Sequence, residues 1–234
     1  MKTRKILTGL ALGMAAAAAG PLAMHADVLY SNSFQTGSSW PEWSNNQVSD
    51  NIHYSRFLGR FTNQLVSLTL TLPTLPPPPP DFEIPDDDGG GGGPAPYWIY
   101  SLAFDFHCID SWDGYEPTHG IDRFEVRING TNMFNETFAN QHNLQSYTEP
   151  PTLGRAHLGF DGRWLDSSYR LTIPFVVAPG TTSFTFEGIG LLGPLGDESW
   201  GLDDVHLSTM LVPAPGAAAL LASCGLLAGR RRRR

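Results

Sequence analysis

Lysine is absent from this 234-residue chain except at positions 2 and 5. Eight of the 15 basic residues lie within the first five and last five positions, so the region between them carries seven arginines against 23 Asp and Glu residues, a formal charge of −16. A surface this acidic repels nucleic acid and anionic lipid, attracts divalent cations and favours solubility outside the cell. We therefore expect no nucleic-acid partner.

Cysteine is almost as scarce, with only Cys108 and Cys224 present. Cys224 lies in an apolar C-terminal segment, so the region between the two ends has one thiol and cannot form an internal disulfide. We expect Cys108 to be buried as an apolar residue, with an intermolecular link as the alternative. A region of roughly 185 residues is long enough to form one core without a disulfide.

Motifs of several enzyme classes are missing as well. The chain has no Gly-x-Ser-x-Gly nucleophile elbow, no His-Glu-x-x-His zinc motif and no phosphate-binding glycine loop. His107 and Cys108 alternate on a predicted strand and point to opposite faces, which favours structural roles for them. These absences predict a protein that is not an enzyme, although a pair of glycosidase carboxylates remains an alternative because carboxylates are abundant.

The N-terminal end has the three-part pattern of a secretory signal peptide. Lys2, Arg4 and Lys5 precede an apolar run over residues 6–20, and small residues then lead to Ala26. We predict a helical signal peptide over residues 1–26 that is cleaved near Ala26. The alternative is a membrane anchor, but the run is short for a span of about 20 residues.

The C-terminal end combines an apolar segment with a basic cluster. Residues 216–229 are apolar or small except for Ser223, and five arginines follow, Arg230, Arg231, Arg232, Arg233 and Arg234. A short apolar helix closed by basic residues is a stop-transfer element whose arginines stay in the cytoplasm. With 14 residues where about 20 are usual, the segment is marginal for a lasting anchor, so we expect a transient sorting element that is lost on processing.

The residues directly before this segment are Val212, Pro213, Ala214 and Pro215. The motif, the span and the terminal arginines over residues 211–234 resemble the PEP-CTERM sorting signal in its Pro-Ala-Pro variant. The resemblance implies processing by an exosortase and a transient association with the inner membrane. It also implies a final location on the cell surface or in the extracellular matrix of a Gram-negative-type bacterium.

Residues 73–96 form a low-complexity segment inside a domain predicted over residues 27–210. Prolines occupy 76–80, aspartates 86–88 and glycines 89–93, so the segment offers little that a core could bury. We expect a disordered insertion. The strand-like runs on its two sides, 64–72 and 97–109, could pair across it because closing a long loop costs little more than closing a short one.

Much of the remaining sequence alternates between apolar and polar residues, as strands do. The pattern is clearest over 66–72, 102–107, 124–129 and 184–187. Asn129-Gly130 predicts a hairpin over 122–138, and Pro179-Gly180 predicts a turn between strands at 169–177 and 181–189. With no amphipathic helix between the two ends, the sequence predicts an all-β, two-sheet β-sandwich of the jelly-roll type.

Two acidic loops are the candidates for a metal site. One contains Asp110 and Asp113, and the other contains Glu198 directly before the last strand. In that strand the apolar residues Val205 and Leu207 are predicted to face the core. Asp203 lies two residues before Val205, so alternation predicts that it faces the same side, where a carboxylate needs a partner. We hypothesise one structural Ca²⁺ held by some of Asp110, Asp113, Glu198 and Asp203. The alternative is that these carboxylates only cap turns.

A second resemblance rests on Ser33-Phe34, on the strand at 102–106 and on the closing segment at 200–205. These segments resemble the bacterial jelly-roll modules related to carbohydrate-binding modules and lectin-like domains. The resemblance implies that Asp203 supports a structural calcium. It covers most of the region between the two ends.

Exposed aromatic side chains are candidates for stacking on sugars. The set comprises Trp40, Trp43, Tyr54, Trp98, Trp112, Trp164 and Trp200. Trp40 and Trp43 are favoured because they lie in a polar loop. The sequence thus predicts an exported, non-enzymatic protein that is structural or adhesive, with extracellular polysaccharide as a candidate partner. The alternative is a polysaccharide hydrolase, which needs a deep groove with two facing carboxylates.

Overall fold

The computed structural model describes residues 27–77, 97–116, 118–141 and 144–212. Within these ranges the chain forms strands and no helix, which confirms the predicted all-β class. None of the described segments is therefore a helix that could cross a membrane. The two predicted terminal helices, most of the low-complexity insertion and the sorting segment from Pro213 onwards lie outside the described residues.

Eleven strands are present in the described ranges. In chain order they are β1 (Val28–Asn32), β2 (Val48–Ser49), β3 (Phe57–Phe61), β4 (Leu65–Leu72), β5 (Tyr97–Asp110), β6 (Arg123–Ile128), β7 (Thr131–Thr137), β8 (Leu153–Ala156), β9 (Asp166–Phe175), β10 (Gly180–Ile189) and β11 (Glu198–Val212). A seven-stranded sheet has the order β2-β3-β11-β5-β9-β8, with β1 also paired to β11. A four-stranded sheet has the order β4-β10-β6-β7, and the strand pairs are antiparallel in both sheets.

The core lies between the two sheets and is rich in aromatic rings. Phe106 on β5 stacks on Phe124 on β6 with ring centroids 4.1 Å apart. Phe104 packs edge-on against Phe186 on β10. These are the inward residues that the alternating pattern predicts, and burying each phenylalanine contributes about 1.5–3 kcal/mol. Cys108 is also fully buried in this core, as expected.

The Asn129-Gly130 hairpin is confirmed. β6 and β7 pair antiparallel across the turn, and both turn residues have positive φ, 50° at Asn129 and 80° at Gly130. This geometry matches a two-residue turn that follows the twist of the strands.

Two other strand connections run between the sheets. β4 and β5 flank the low-complexity segment but lie in different sheets, and so do β9 and β10 on the two sides of Pro179. The pairing considered across the low-complexity segment therefore does not form, whereas Pro179-Gly180 lies between β9 and β10 as predicted. An alternating pattern indicates which face of a strand is buried, but it does not indicate which strand lies beside it.

A β-bulge in β11 changes which residues of the strand face the core, compared with the simple alternation predicted from the sequence. Opposite β5, the register moves from Asp203↔Asp105 to His206↔Ala103, so β11 has an extra residue there. Asp204 has a positive φ of 44° at this point. The core therefore receives Leu202 before the bulge and Val205 after it. Asp203 does not share the inward side of Val205, and that expectation is wrong because the bulge shifts the alternation by one residue.

Candidate metal centre

The two acidic loops meet at one end of the sandwich. Glu198 at the start of β11 lies opposite Asp110 at the end of β5, so the loop entering β11 and the loop leaving β5 share one edge of the sheet. Ser111 joins the loops, since its backbone N–H and its hydroxyl both donate to the backbone oxygen of Asp197. The two loops are therefore close enough to contribute to one site.

Three carboxylates converge where the loops meet. Asp113, Asp122 and Glu198 each place one oxygen within 4.8 Å of an oxygen of the other two. Asp122 is fully buried, and Glu198 and Asp113 are 3% and 8% exposed. Two oxygens that each lie about 2.4 Å from one Ca²⁺ are at most about 4.8 Å apart. The spacing of the three oxygens is therefore compatible with a single calcium ion.

Backbone N–H groups hold these carboxylates in place but do not occupy all of their oxygen acceptor sites. Asp122 Oδ2 accepts from the backbone N–H of Asp113, and Glu198 Oε2 accepts from the N–H of Leu192 at 2.6 Å. Asp122 Oδ1 is enclosed and has no hydrogen-bond partner among the described residues. Since an ionised carboxylate has about four lone-pair sites, this oxygen is suited to bind a cation.

The electrostatics of the cluster are unfavourable without a positive charge. Burial raises the pKa of Glu198 to about 8, and the neighbouring charge of Asp122 adds to this effect. Burial likewise raises the pKa of Asp122 to about 7, with a further contribution from Asp113. A bound dication would stabilise the ionised forms and return both pKa values toward the ordinary range.

The cluster opens into a cleft of about 540 Å³. Asp113 and Glu198 line this cleft, whereas Asp122 is enclosed next to them. The other lining residues come from several loops and are Ser111, Thr118, His119, Gln141, Trp164, Leu192 and Asp197. The carboxylates therefore adjoin a space that is large enough for a small ligand.

The structure places the other two predicted ligands elsewhere. Asp110 pairs with Arg60 and also accepts from the backbone N–H of Asp161 at 3.1 Å. Asp203 accepts from the Ser55 hydroxyl at 2.9 Å and from the N–H of Asp204 at 2.8 Å. Both carboxylates are thus satisfied by donors of the chain itself. Of the four candidates, only Asp113 and Glu198 come together in the acidic triad.

Asp122 is the member of the triad that was not among the predicted ligands. It lies nine residues beyond Asp113, directly before β6. The loop between them folds back, so that the backbone N–H of Asp122 donates to the carbonyl of Gly114. The acidic character of this loop was visible in the sequence. Its fold-back was not, because it depends on Gly114 and Gly190 in left-handed conformations.

The favoured sugar-stacking residues are not exposed rings. Trp43 is 4% exposed, stacks on Phe186 and donates through Nε1 to the Tyr30 hydroxyl. Trp40 is half-buried and packs edge-on against Phe34. The loop runs beside β4, where Trp43 forms a bridge with Leu68 and packs into the core, so Trp43 lacks the exposed face that sugar stacking requires.

Comparisons with known proteins identify no family. No family model and no curated protein matches the chain. Among solved structures, the chain is similar to dimeric latent PorU from Porphyromonas gingivalis, with 9% identity and a TM-score of 0.40 over 80% of this chain and 13% of that chain.

The chain is also similar to a cycloisomaltooligosaccharide glucanotransferase from Paenibacillus sp., solved with cycloisomaltoheptaose. Here the identity is 13% and the TM-score 0.25, over 68% of this chain and 16% of that chain. The chain spans less than a fifth of either protein. Likenesses of this degree carry no argument about function.

Proposed function

We propose that this chain is an exported, non-enzymatic protein of the bacterial cell surface or extracellular matrix, structural or adhesive in role, with a sandwich stabilised by calcium. The triad of Asp113, Asp122 and Glu198 is the observation that supports this best. Its oxygens have the spacing of calcium ligands, and Asp122 Oδ1 has no partner among the described residues. The export half of the proposal rests on the signal-peptide and sorting patterns at the two ends.

Calcium at this position would join three segments of the chain. Asp113 follows β5, Asp122 precedes β6 and Glu198 begins β11. These strands belong to both sheets, since β6 lies in the four-stranded sheet and the other two lie in the seven-stranded sheet. A shared ion would therefore tie the sheets together at one end, which suits a domain whose cysteine in the described ranges, Cys108, is a free thiol.

Thermal unfolding tests the stabilising role. Extracellular calcium sites have Kd values of roughly 0.1 mM or weaker. At about 100 times a Kd of 0.1 mM, the gain in unfolding free energy is about 2.7 kcal/mol. We expect 10 mM Ca²⁺ to raise the melting temperature of the chelated protein by about 5 °C or more. An equal rise with Mg²⁺, or no rise, would contradict the site.

Cell fractionation tests the location. We expect the protein in the extracellular or outer-surface fraction, with a mature C-terminus that lacks Arg234. Mass spectrometry of the purified protein gives that terminus directly. Finding most molecules in the cytoplasm, or with Arg234 attached, would overturn the export and sorting proposal but would not bear on the calcium site.

The polysaccharide hydrolase remains the second candidate, because two carboxylates, Asp113 and Glu198, line one cleft. The metal is preferred because three carboxylates, not two, each bring an oxygen within 4.8 Å of the others, and a shared ion would balance their charge. A carbohydrate-degradation screen distinguishes them: reducing ends released by the wild-type protein and not by Glu198→Gln would establish the enzyme.

A further inference from the structure

The cleft beside the acidic triad also contains hydrogen-bond donors, which cannot coordinate a calcium ion. Trp164 and Gln141 line it together with Asp113 and Glu198. The indole Nε1 of Trp164 and the amide Nε2 of Gln141 are enclosed, and neither has a hydrogen-bond partner among the described residues. Unpaired donors in such positions are unfavourable and are usually satisfied by water or a ligand.

Both donors reach the cleft from loops other than the acidic ones. Gln141 follows β7, and Trp164 precedes β9. The backbone of Trp164 is held on both sides, since its N–H donates to the carbonyl of Asp161 at 3.1 Å and its carbonyl lies 2.8 Å from His157 Nδ1. Both residues line the cleft, and both side chains are partly exposed.

An apolar side chain completes the lining. Leu192 lines the cleft and is 75% exposed. The C–H face of a sugar ring can pack on such a side chain while its hydroxyl groups meet donors and a cation. Calcium takes six to eight oxygen ligands, so an ion held by three carboxylates keeps positions for hydroxyl oxygens from the cleft.

From this arrangement we infer that the cleft binds a neutral glycan, whose vicinal hydroxyls complete the coordination of the calcium and accept hydrogen bonds from Trp164 and Gln141. This inference rests on the calcium site of the proposed function. Neutral sugars are favoured because the three ligands carry three negative charges against two on the ion, and Asp197 adds another in the lining. A cleft of this size accommodates a ligand of a few sugar rings.

A glycan array with neutral and acidic bacterial polysaccharides tests the ligand class. We expect the protein to bind neutral glycans in 10 mM CaCl₂ and to lose that binding in EGTA. A blank array in calcium, equal binding in EGTA, or a preference for acidic glycans would each overturn the inference. If calorimetry shows calcium binding while the array is blank, the glycan site fails and the calcium site stands.

Trp164→Phe separates the two roles of the cleft, because phenylalanine keeps an aromatic ring but removes the N–H group. We expect glycan binding to weaken about tenfold, with calcium affinity and melting temperature unchanged. Trp98→Phe is the matched control, since Trp98 Nε1 is also enclosed without a partner among the described residues. Trp98 lies near the opposite end of β5, roughly 40 Å along the strand from Asp110.

Gln141→Met provides a second variant that removes a donor at similar volume. It should also weaken glycan binding severalfold and leave calcium affinity unchanged. It keeps the inference testable if Trp164→Phe fails to fold. Unchanged glycan affinity in the folded donor variants would contradict the assigned contacts, as would an equal loss in Trp98→Phe.

Discussion

Asp122 combines full burial, two acidic neighbours and an oxygen without a partner among the described residues. Such a carboxylate is unfavourable when ionised, unless a cation lies beside it. The Asp122 carboxylate therefore destabilises the calcium-free protein at neutral pH and stabilises the calcium-bound protein. A single substitution at this position should separate the two effects.

We predict that Asp122→Asn removes the stabilisation by calcium without lowering the melting temperature measured in EGTA. The amide removes one of three mutually repelling charges and a ligand to the ion at once. Thermal scans with and without 10 mM Ca²⁺ measure both quantities. Asp50→Asn, at an exposed carboxylate, is the control and should respond to calcium as the wild type does. A variant at Asp122 that still gains several degrees from calcium would exclude this residue as a ligand.

Asp203 illustrates the opposite case, a buried carboxylate that the chain satisfies by itself. Because Ser55 donates to one oxygen and Asp204 to the other, we predict that Asp203→Asn leaves calcium affinity unchanged. Ser55→Ala should lower the free energy of unfolding by about 1–3 kcal/mol, since it leaves Asp203 Oδ2 unpaired. Denaturant unfolding measures this loss, with Ser38→Ala at an exposed serine as the control. Loss of calcium binding in Asp203→Asn would restore the calcium role that the sequence resemblance implies.

At the scale of strands and loops, the residues that the sequence places correctly are those governed by local chemistry. The alternation of Phe104 and Phe106 predicts their burial, and Asn129-Gly130 predicts its hairpin, because side-chain direction and turn geometry depend on near neighbours. The β11 bulge at Asp204 and the fold-back that places Asp122 beside Asp113 depend on distant segments. The acidic loops were therefore predictable as a site, whereas its ligand set was not.

Gly190 controls that fold-back. It has a φ of +92°, and a Cβ at this position would lie 2.1 Å from the backbone oxygen of Ile121, the residue before Asp122. We predict that Gly190→Ala lowers the free energy of unfolding by about 2–4 kcal/mol and weakens calcium binding at least tenfold. Denaturant unfolding and calorimetry measure the two effects.

Gly130→Ala is the matched control for Gly190→Ala. Gly130 also has a positive φ, +80°, but no atom lies within 4 Å of a Cβ built there. The control should lose only the conformational preference of glycine, about 1 kcal/mol, and should bind calcium as the wild type does. Equal losses in both variants would show that contact with Ile121 plays no part.

The buried carboxylates together predict how the stability of the whole molecule depends on pH. Burial raises the pKa of Asp203 to about 6, that of Asp122 to about 7 and that of Glu198 to about 8. Unfolded Asp and Glu titrate near pH 4, so between about pH 4 and 8 the folded state binds more protons than the unfolded state. The free energy of unfolding therefore falls as pH rises through this window.

In EGTA, the melting temperature should be higher at pH 5.5 than at pH 8. Saturating Ca²⁺ should reduce this difference, because the ion replaces protons at Asp122 and Glu198. Scanning calorimetry at both pH values, with and without calcium, measures the change. A chelated protein that melts at the same temperature or higher at pH 8 would contradict the raised pKa values of these carboxylates.

Isothermal titration calorimetry of the chelated protein with Ca²⁺ tests the central claim most directly. We predict one calcium per chain for the wild type and for Glu149→Gln, which removes an exposed carboxylate. We predict at least a hundredfold weaker binding for Glu198→Gln. No heat with the wild type, or the same affinity in Glu198→Gln, would contradict a calcium centre built from Asp113, Asp122 and Glu198.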